Sequence, residues 1–274
     1  MSPKGRPEGR VAQISRSAQH EGSPVTSRAD ILSALRIVLV APSHPGNIGA
    51  AARAMCTMGL SRLVLVSPKR YPDPEATALA SGATSVLDGA RVVATLDEAL
   101  RGSVLAVGLS ARPREFAGRV LPAREAAAEA MRHAVCGDVA IVFGTEMSGL
   151  SNSELGRCGV VATIPTSSEY ASLNLAAAVQ VVAYELRIAA GAGDVWRAPR
   201  FASATVDEVE ALYAHGTRTL AELRFLDPRM PKRLLPRLRR LFARAGLEKE
   251  EVNILRGILA RIDQMLGRGP GRDA

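Results

Sequence analysis

Five short runs of apolar, largely β-branched residues constrain this chain most: 36–41 (RIVLVA), 62–67 (RLVLVS), 103–109 (SVLAVGL), 138–143 (DVAIVF) and 160–164 (VVATI). None alternates between apolar and polar, as a strand with one wet face would. Continuous runs of this length are expected of strands buried on both faces. Helix-like stretches lie between or after them, at 47–58, 122–134 and 173–190. Strand alternating with helix predicts an α/β domain, a largely parallel sheet with helices on both faces.

The 274 residues suffice for one or two such units. Charge divides them further. Residues 36–196 carry fourteen basic and fourteen acidic side chains, whereas 197–274 carry sixteen basic against ten acidic. Gly191, Gly193 and Pro199 mark a break. Beyond it, 205–226 and 232–266 have leucines at helical spacing, the second stretch interrupted near Gly246. The expected organisation is a disordered Ser/Pro/Gly/Arg-rich arm at 1–35, a domain at 36–196, and a small basic helical extension at 197–274. Arg233, Arg237, Arg240 and Arg244 lie in an acid-free run, as a phosphate-binding face would. A solubilising tail would have the same composition.

Several chemistries are unsupported. No apolar run is long enough to span a membrane, and the N-terminus lacks the apolar core of a secretory signal. Cys56, Cys136 and Cys158 form no C-x-x-C pair, and the four histidines lack ligand spacing. The expectations are therefore no metal, no disulfide framework and a reducing cytoplasm. Gly46-Asn-Ile-Gly49 is neither a dinucleotide fingerprint nor a Walker loop. Ser148 sits one position too late for a nucleophile elbow.

Three polar turns, each after an apolar run, remain to be explained. The first is 45–53 (PGNIGAAAR), where Asn47 is a good helix cap and Arg53 stands alone in a small, apolar helix. The second is 143–150 (FGTEMSGL), where Gly144 would admit a ligand close to the backbone and Glu146 places a charge at a strand exit. The third is 164–175 (IPTSSEYASLNL), where Ser172 or a neighbour would cap a long helix. Strand exits are where parallel sheets bind ligands. Taken singly, an ordinary cap explains Ser172 as well as a functional role does, while a plain surface arginine is the lesser reading of Arg53 at that position.

Taken together, Asn47-x-Gly49-x-x-x-Arg53, VFGTEMSGLSNSEL (142–155) and SLNLAAAVQVVAYE (172–185) resemble the three motifs of the SPOUT RNA methyltransferases. The detail, with FLDPRMPKRLLPRLRRLFARAGLEKEEVNILRGIL (225–259), is similar to the TrmJ-like, ribose-directed branch of the TrmH family. The resemblance spans about residues 36–266. It implies a sheet with a C-terminal trefoil knot, S-adenosylmethionine as cofactor, and a homodimer with active sites at the subunit interface. It also implies 2′-O-methylation of a tRNA cytidine or uridine at nucleotide 32. Matched position by position, Leu109, Ser110, Ala111, Gly144, Ile164, Ala171, Ser172 and Leu173 would hold cofactor. Arg53 and Ser172 would act in catalysis, with Asn47, Glu146 and Asn174 shaping the site. The extension would bind tRNA through Arg233, Arg237, Arg240 and Arg244. One departure is Ala171, where relatives often carry a second serine. A ribosomal RNA or another tRNA position is the nearest alternative reading, and an RNA-binding module without catalysis the next.

Overall fold

A computed structural model describes residues 28–111, 119–191, 201–230 and 233–267. The chain opens with helix α1 (Arg28–Ser33), strand β1 (Leu35–Val40), α2 (Pro45–Thr57) and β2 (Arg62–Val66). Short elements follow: α3 (Pro74–Ala80), α4 (Thr84–Asp88), β3 (Arg91–Val93) and α5 (Leu96–Leu100). Next come β4 (Ser103–Leu109), β5 (Arg119–Pro122), α6 (Ala123–Ala134), β6 (Asp138–Phe143), α7 (Asn152–Leu155), β7 (Val160–Thr163) and α8 (Leu175–Gly191). Three helices end it: α9 (Val206–Glu222), α10 (Leu234–Ala245) and α11 (Lys249–Met265).

The seven strands form one sheet in the order β3-β2-β1-β6-β4-β7-β5, every neighbouring pair parallel. Ile37 of β1 is level with Leu63 of β2 and Ile141 of β6. That register divides the continuous runs between two cores. Ile37, Leu39, Leu63, Leu65, Val107 and Ile141 pack on one face with residues of α2, α6 and α8. Val38, Val64, Ala106, Val142 and Val161 pack on the other with Leu100, Leu150, Leu155 and Cys158. Burial of both faces is why no run alternates.

The strand starts are tied by charge. Arg36, at the head of β1 and buried, donates to Asp138 of β6 and to the carbonyls of Ala99 (3.0 Å) and Arg101 (3.1 Å). Asp138 also accepts from Arg62 of β2 at 2.6 and 2.7 Å. Burial lowers the proton affinity of Arg36, and the two guanidinium partners hold Asp138 below the ordinary aspartate range against its own desolvation.

The five expected strands and three expected helices of the central domain are present, as are the extension's helices and the break at Gly246, whose φ is 64°. The expected arm is corrected at its end. Residues 28–33 are helical, and Ile31, Leu32 and Leu35 are buried in the main core, so the ordered chain begins before residue 36. Residues 1–27 lie outside the described residues, as do Lys232 and most of the expected break at 191–199. The extension has its own small core of Ala204, Leu212 and Val252, with Phe242, Leu247 and Leu259 against it.

Candidate active site

The C-terminal ends of β1, β6 and β7 deliver the three polar turns to one place. The first turn needs an unusual backbone, since Ala41, directly after β1, takes φ 46°. That left-handed residue swings Ser43 and His44 toward the second turn. There the Glu146 carboxylate accepts from the Ser43 N–H (3.0 and 3.1 Å), the Ser43 hydroxyl (2.8 Å), the His44 N–H (3.1 Å) and Asn47 Nδ2 (3.1 Å). Burial pushes the Glu146 pKa up, but the hydrogen bonds from Asn47, its own backbone and Ser43 outweigh that and hold it at about 2. A carboxylate so fully used stays ionised at neutral pH and has no role as a proton acceptor.

Asn47 also accepts, at Oδ1, from Asn174 Nδ2 of the third turn (2.9 Å). Asn174 in turn caps α8, its Oδ1 accepting from the N–H groups of Ala176 (2.9 Å) and Ala177 (3.4 Å). A chain of side chains therefore runs Glu146–Asn47–Asn174 through all three turns. One expectation is corrected here. Asn47 is not the cap of α2, because Pro45, with φ preset for a first helical residue, starts the helix two positions earlier. The cap of α8, expected of Ser172 or a neighbour, is Asn174.

Two of the motif glycines are required by close packing. Gly49 lies inside α2, where an added Cβ would stand 2.1 Å from the Ala76 carbonyl oxygen, so its bareness serves the close packing of α3. At Gly144 an added Cβ would meet the Gly149 carbonyl carbon at 2.1 Å. The second turn folds back on Gly144, closed by the Gly149 N–H to the Thr145 carbonyl (3.0 Å) and by Gly149 itself at φ 66°.

Beside this chain opens a cleft of about 110 Å³. Seven of the eight residues expected to hold cofactor line it: Leu109, Ser110, Ala111, Gly144, Ile164, Ala171 and Leu173. Ser172 is exposed between the last two and does not line the cleft. Arg53 is exposed on α2, outside the cleft of its own chain. Phe143 and Leu175 add apolar surface to the lining and Thr166 a hydroxyl, and the sequence alone did not single them out. Neither did it single out Ser43 and His44, which read as an ordinary loop before Pro45. Of the basic residues expected on the extension, Arg237, Arg240 and Arg244 are exposed on α10, and Arg233 occupies the position just before its first residue without a capping side-chain hydrogen bond. The neighbouring Arg239 turns inward to Glu210.

A seven-stranded parallel sheet whose strand exits carry three cross-linked loops around one cleft is the arrangement of a class, the SPOUT methyltransferases. The model of the SpoU rRNA Methylase family matches residues 34–184, and that of the tRNA methyltransferase TrmJ C-terminal domain matches 207–271. The chain is 50% identical over 250 residues to the tRNA (cytidine/uridine/adenosine-2′-O-)-methyltransferase TrmJ of Pseudomonas aeruginosa, covering 87% of this chain and 97% of that one. It is 47% identical over 238 residues to the tRNA (cytidine/uridine-2′-O-)-methyltransferase TrmJ of Salmonella choleraesuis, covering 85% and 98%. The crystal structure of TrmJ from Z. mobilis superposes with a TM-score of 0.73 at 34% identity, covering 83% of this chain and 98% of that one. The chain belongs to the TrmJ family of SpoU methylases.

Proposed function

We propose that this protein transfers a methyl group from S-adenosylmethionine to the ribose 2′-hydroxyl of a tRNA cytidine or uridine, at nucleotide 32 of the anticodon loop, in the cytoplasm. The observation that carries the reading is the Glu146–Asn47–Asn174 chain, which joins three separate turns around one cleft in a TrmJ-family sequence. Residues 36–196 serve as the methyltransferase domain and 197–274 as the tRNA-binding extension.

The lining suits the cofactor. Leu109, Phe143, Ile164, Leu173 and Leu175 offer apolar surface to a purine ring, and the main chain around Ser110, Ala111 and Gly144 runs along the same wall. When bound, S-adenosylmethionine supplies a methyl group activated by its sulfonium. The chain's own residues must align the ribose oxygen and accommodate its proton. Glu146 acts as a positioning residue, since its lone pairs are spent on Ser43, His44 and Asn47. The Arg53 guanidinium, a planar fork of N–H donors with no acceptor, grips the phosphate beside the target ribose and stabilises charge developing on the 2′-oxygen. The Ser172 hydroxyl, exposed between Ala171 and Leu173, hydrogen-bonds the same ribose.

Arg53 lies outside its own cleft, and that cleft encloses less than the ~300 Å³ of a typical ligand site. Both facts favour a homodimer in which one copy's Arg53 completes the partner's cleft. Tyr184 and Ile188, exposed one turn apart on α8, supply apolar surface for such a contact. The test is turnover and cofactor titration of Arg53→Ala. Methyl transfer to tRNA is expected to be lost while S-adenosylmethionine still binds; wild-type turnover removes Arg53 from the mechanism.

A second acceptor is favoured by one comparison. The Pseudomonas aeruginosa relative's name includes adenosine, so a tRNA with adenosine at the target nucleotide belongs in the substrate panel.

A further inference from the structure

The third turn changes sides residue by residue. Ala171, Leu173 and Leu175 line the cofactor cleft, whereas Tyr170 and Ser172 do not and are exposed. Residues two apart lie no more than about 7 Å from one another at Cα. Tyr170 and Ser172 therefore share the outer side of one loop, within the span of a single nucleotide.

Tyr170 does not pack against the fold. It is 78% exposed, and among the described residues its hydroxyl makes no hydrogen bond. The other three tyrosines are engaged. Tyr71 donates to the Leu87 carbonyl (2.6 Å) and Tyr213 to the Arg239 carbonyl (3.3 Å), while Tyr184 lies at the subunit contact inferred above. Aromatic residues are only 4% of the chain, and a buried ring removes about 150–250 Å² from water. A ring left in solvent at the cleft mouth contributes little to stability. The second turn adds to the same rim. It is closed by the Thr145–Gly149 bridge and carries Met147, 98% exposed, between the cleft residues Glu146 and Gly149. An aromatic face with a polarizable apolar neighbour is what an unstacked base rests on.

We propose that Tyr170 is the platform on which the base of the methylated nucleotide stacks, with Met147 bordering the same space. The inference rests on the ribose-methylation reading above and deepens it by giving the base a contact. Stacking fixes the base while Ser172 addresses its sugar, so two residues of one loop align the 2′-oxygen. A ring face meets the π surface common to every base and leaves the hydrogen-bonding edge unread. Cytidine and uridine, which differ at that edge, are held alike, and selection of the nucleotide falls to other contacts.

The test compares wild type, Tyr170→Phe and Tyr170→Ala in methyl transfer from labelled S-adenosylmethionine to unmodified tRNA. A second tRNA carries, at the methylated nucleotide, a fluorescent cytidine analogue that stacking quenches. Loss of the ring in Tyr170→Ala is expected to lower kcat/KM for tRNA about 10- to 100-fold. Tyr170→Phe keeps the ring and is expected to stay within about twofold of wild type. Cofactor Kd and melting temperature are expected to be unchanged in both variants. The analogue's emission should fall on binding wild type or Tyr170→Phe, and not on binding Tyr170→Ala. Wild-type turnover by Tyr170→Ala overturns the proposal, as does a Tyr170→Phe variant equally impaired, which would assign the effect to the hydroxyl. Quenching that is equal on all three proteins, or cofactor affinity lost in step with turnover, overturns it too. Wild-type protein that methylates no tRNA overturns the tRNA reading, and this assignment with it.

Discussion

Replacing Glu146 by Gln tests whether the carboxylate holds the three turns together. The substitution keeps the size and removes the charge. Its amide presents one oxygen where two accepted, and its NH₂ faces the Ser43 N–H or Asn47 Nδ2, both donors. The fall in the carboxylate pKa from 4.5 to about 2 corresponds to roughly 3 kcal/mol between the two protonation states. Glu146 is only half-buried, so solvent screening reduces the expected loss to roughly 1–2 kcal/mol at pH 7. At about 2–4 °C per kcal/mol for a chain of this size, the variant should melt about 2–8 °C below wild type. The sign with pH follows from the depressed pKa: the stabilisation is fully present above the unfolded value near 4.5 and is lost as pH falls toward 2. Thermal melts of both proteins at pH 7 and across pH 5 to 3 measure this, with the gap narrowing through the acid range. Freed from Glu146, Asn47 also loses its hold on Asn174, so cofactor affinity should fall alongside. A variant that melts with wild type at pH 7, or a gap that persists undiminished below pH 3, would refute the reasoning.

Two further substitutions probe the frame behind the site. Asp138→Asn leaves the buried Arg36 guanidinium without its carboxylate, although the Ala99 and Arg101 carbonyls remain. A loss of about 2 kcal/mol, and a melting temperature lower by ~4–8 °C, is expected; a melt within 1 °C of wild type (~1 °C resolves roughly 0.3 kcal/mol) means the triad contributes little. Gly49→Ala drives a methyl group toward the Ala76 carbonyl, so α2 and α3 must separate at a cost of about 1–3 kcal/mol. Chemical denaturation measures that cost, and a stability equal to wild type means the helix pair is looser than the 2.1 Å approach indicates.

The strands that were legible are those buried on both faces. β1, β2, β4, β6 and β7 announce themselves as unbroken apolar runs because each packs between helices or neighbouring strands on either side. Arg91–Val93 and Arg119–Pro122 escaped because they are short, mostly exposed edge strands with no such run to detect. The three turns were legible as positions, and the structure puts seven of the expected cofactor residues on one wall. What tied them was not legible. Asn47 looks like a cap in the sequence, and only the tertiary fold reveals that it bridges residues 99 and 127 positions away. Ser43 and His44 contribute backbone N–H groups, which leave no trace in residue type. In the basic run, Arg239 and Arg240 are equivalent by composition. Only the location of Glu210 and Tyr213 sends one inward and leaves the other exposed.

The most direct test of the central claim is to incubate the purified protein with isotopically labelled S-adenosylmethionine and unmodified tRNA, then map the labelled nucleotide. The account predicts label on the ribose 2′-oxygen of the cytidine or uridine at nucleotide 32, and none with the Arg53→Ala variant. Label on a base, at another nucleotide, or only on ribosomal RNA would contradict it.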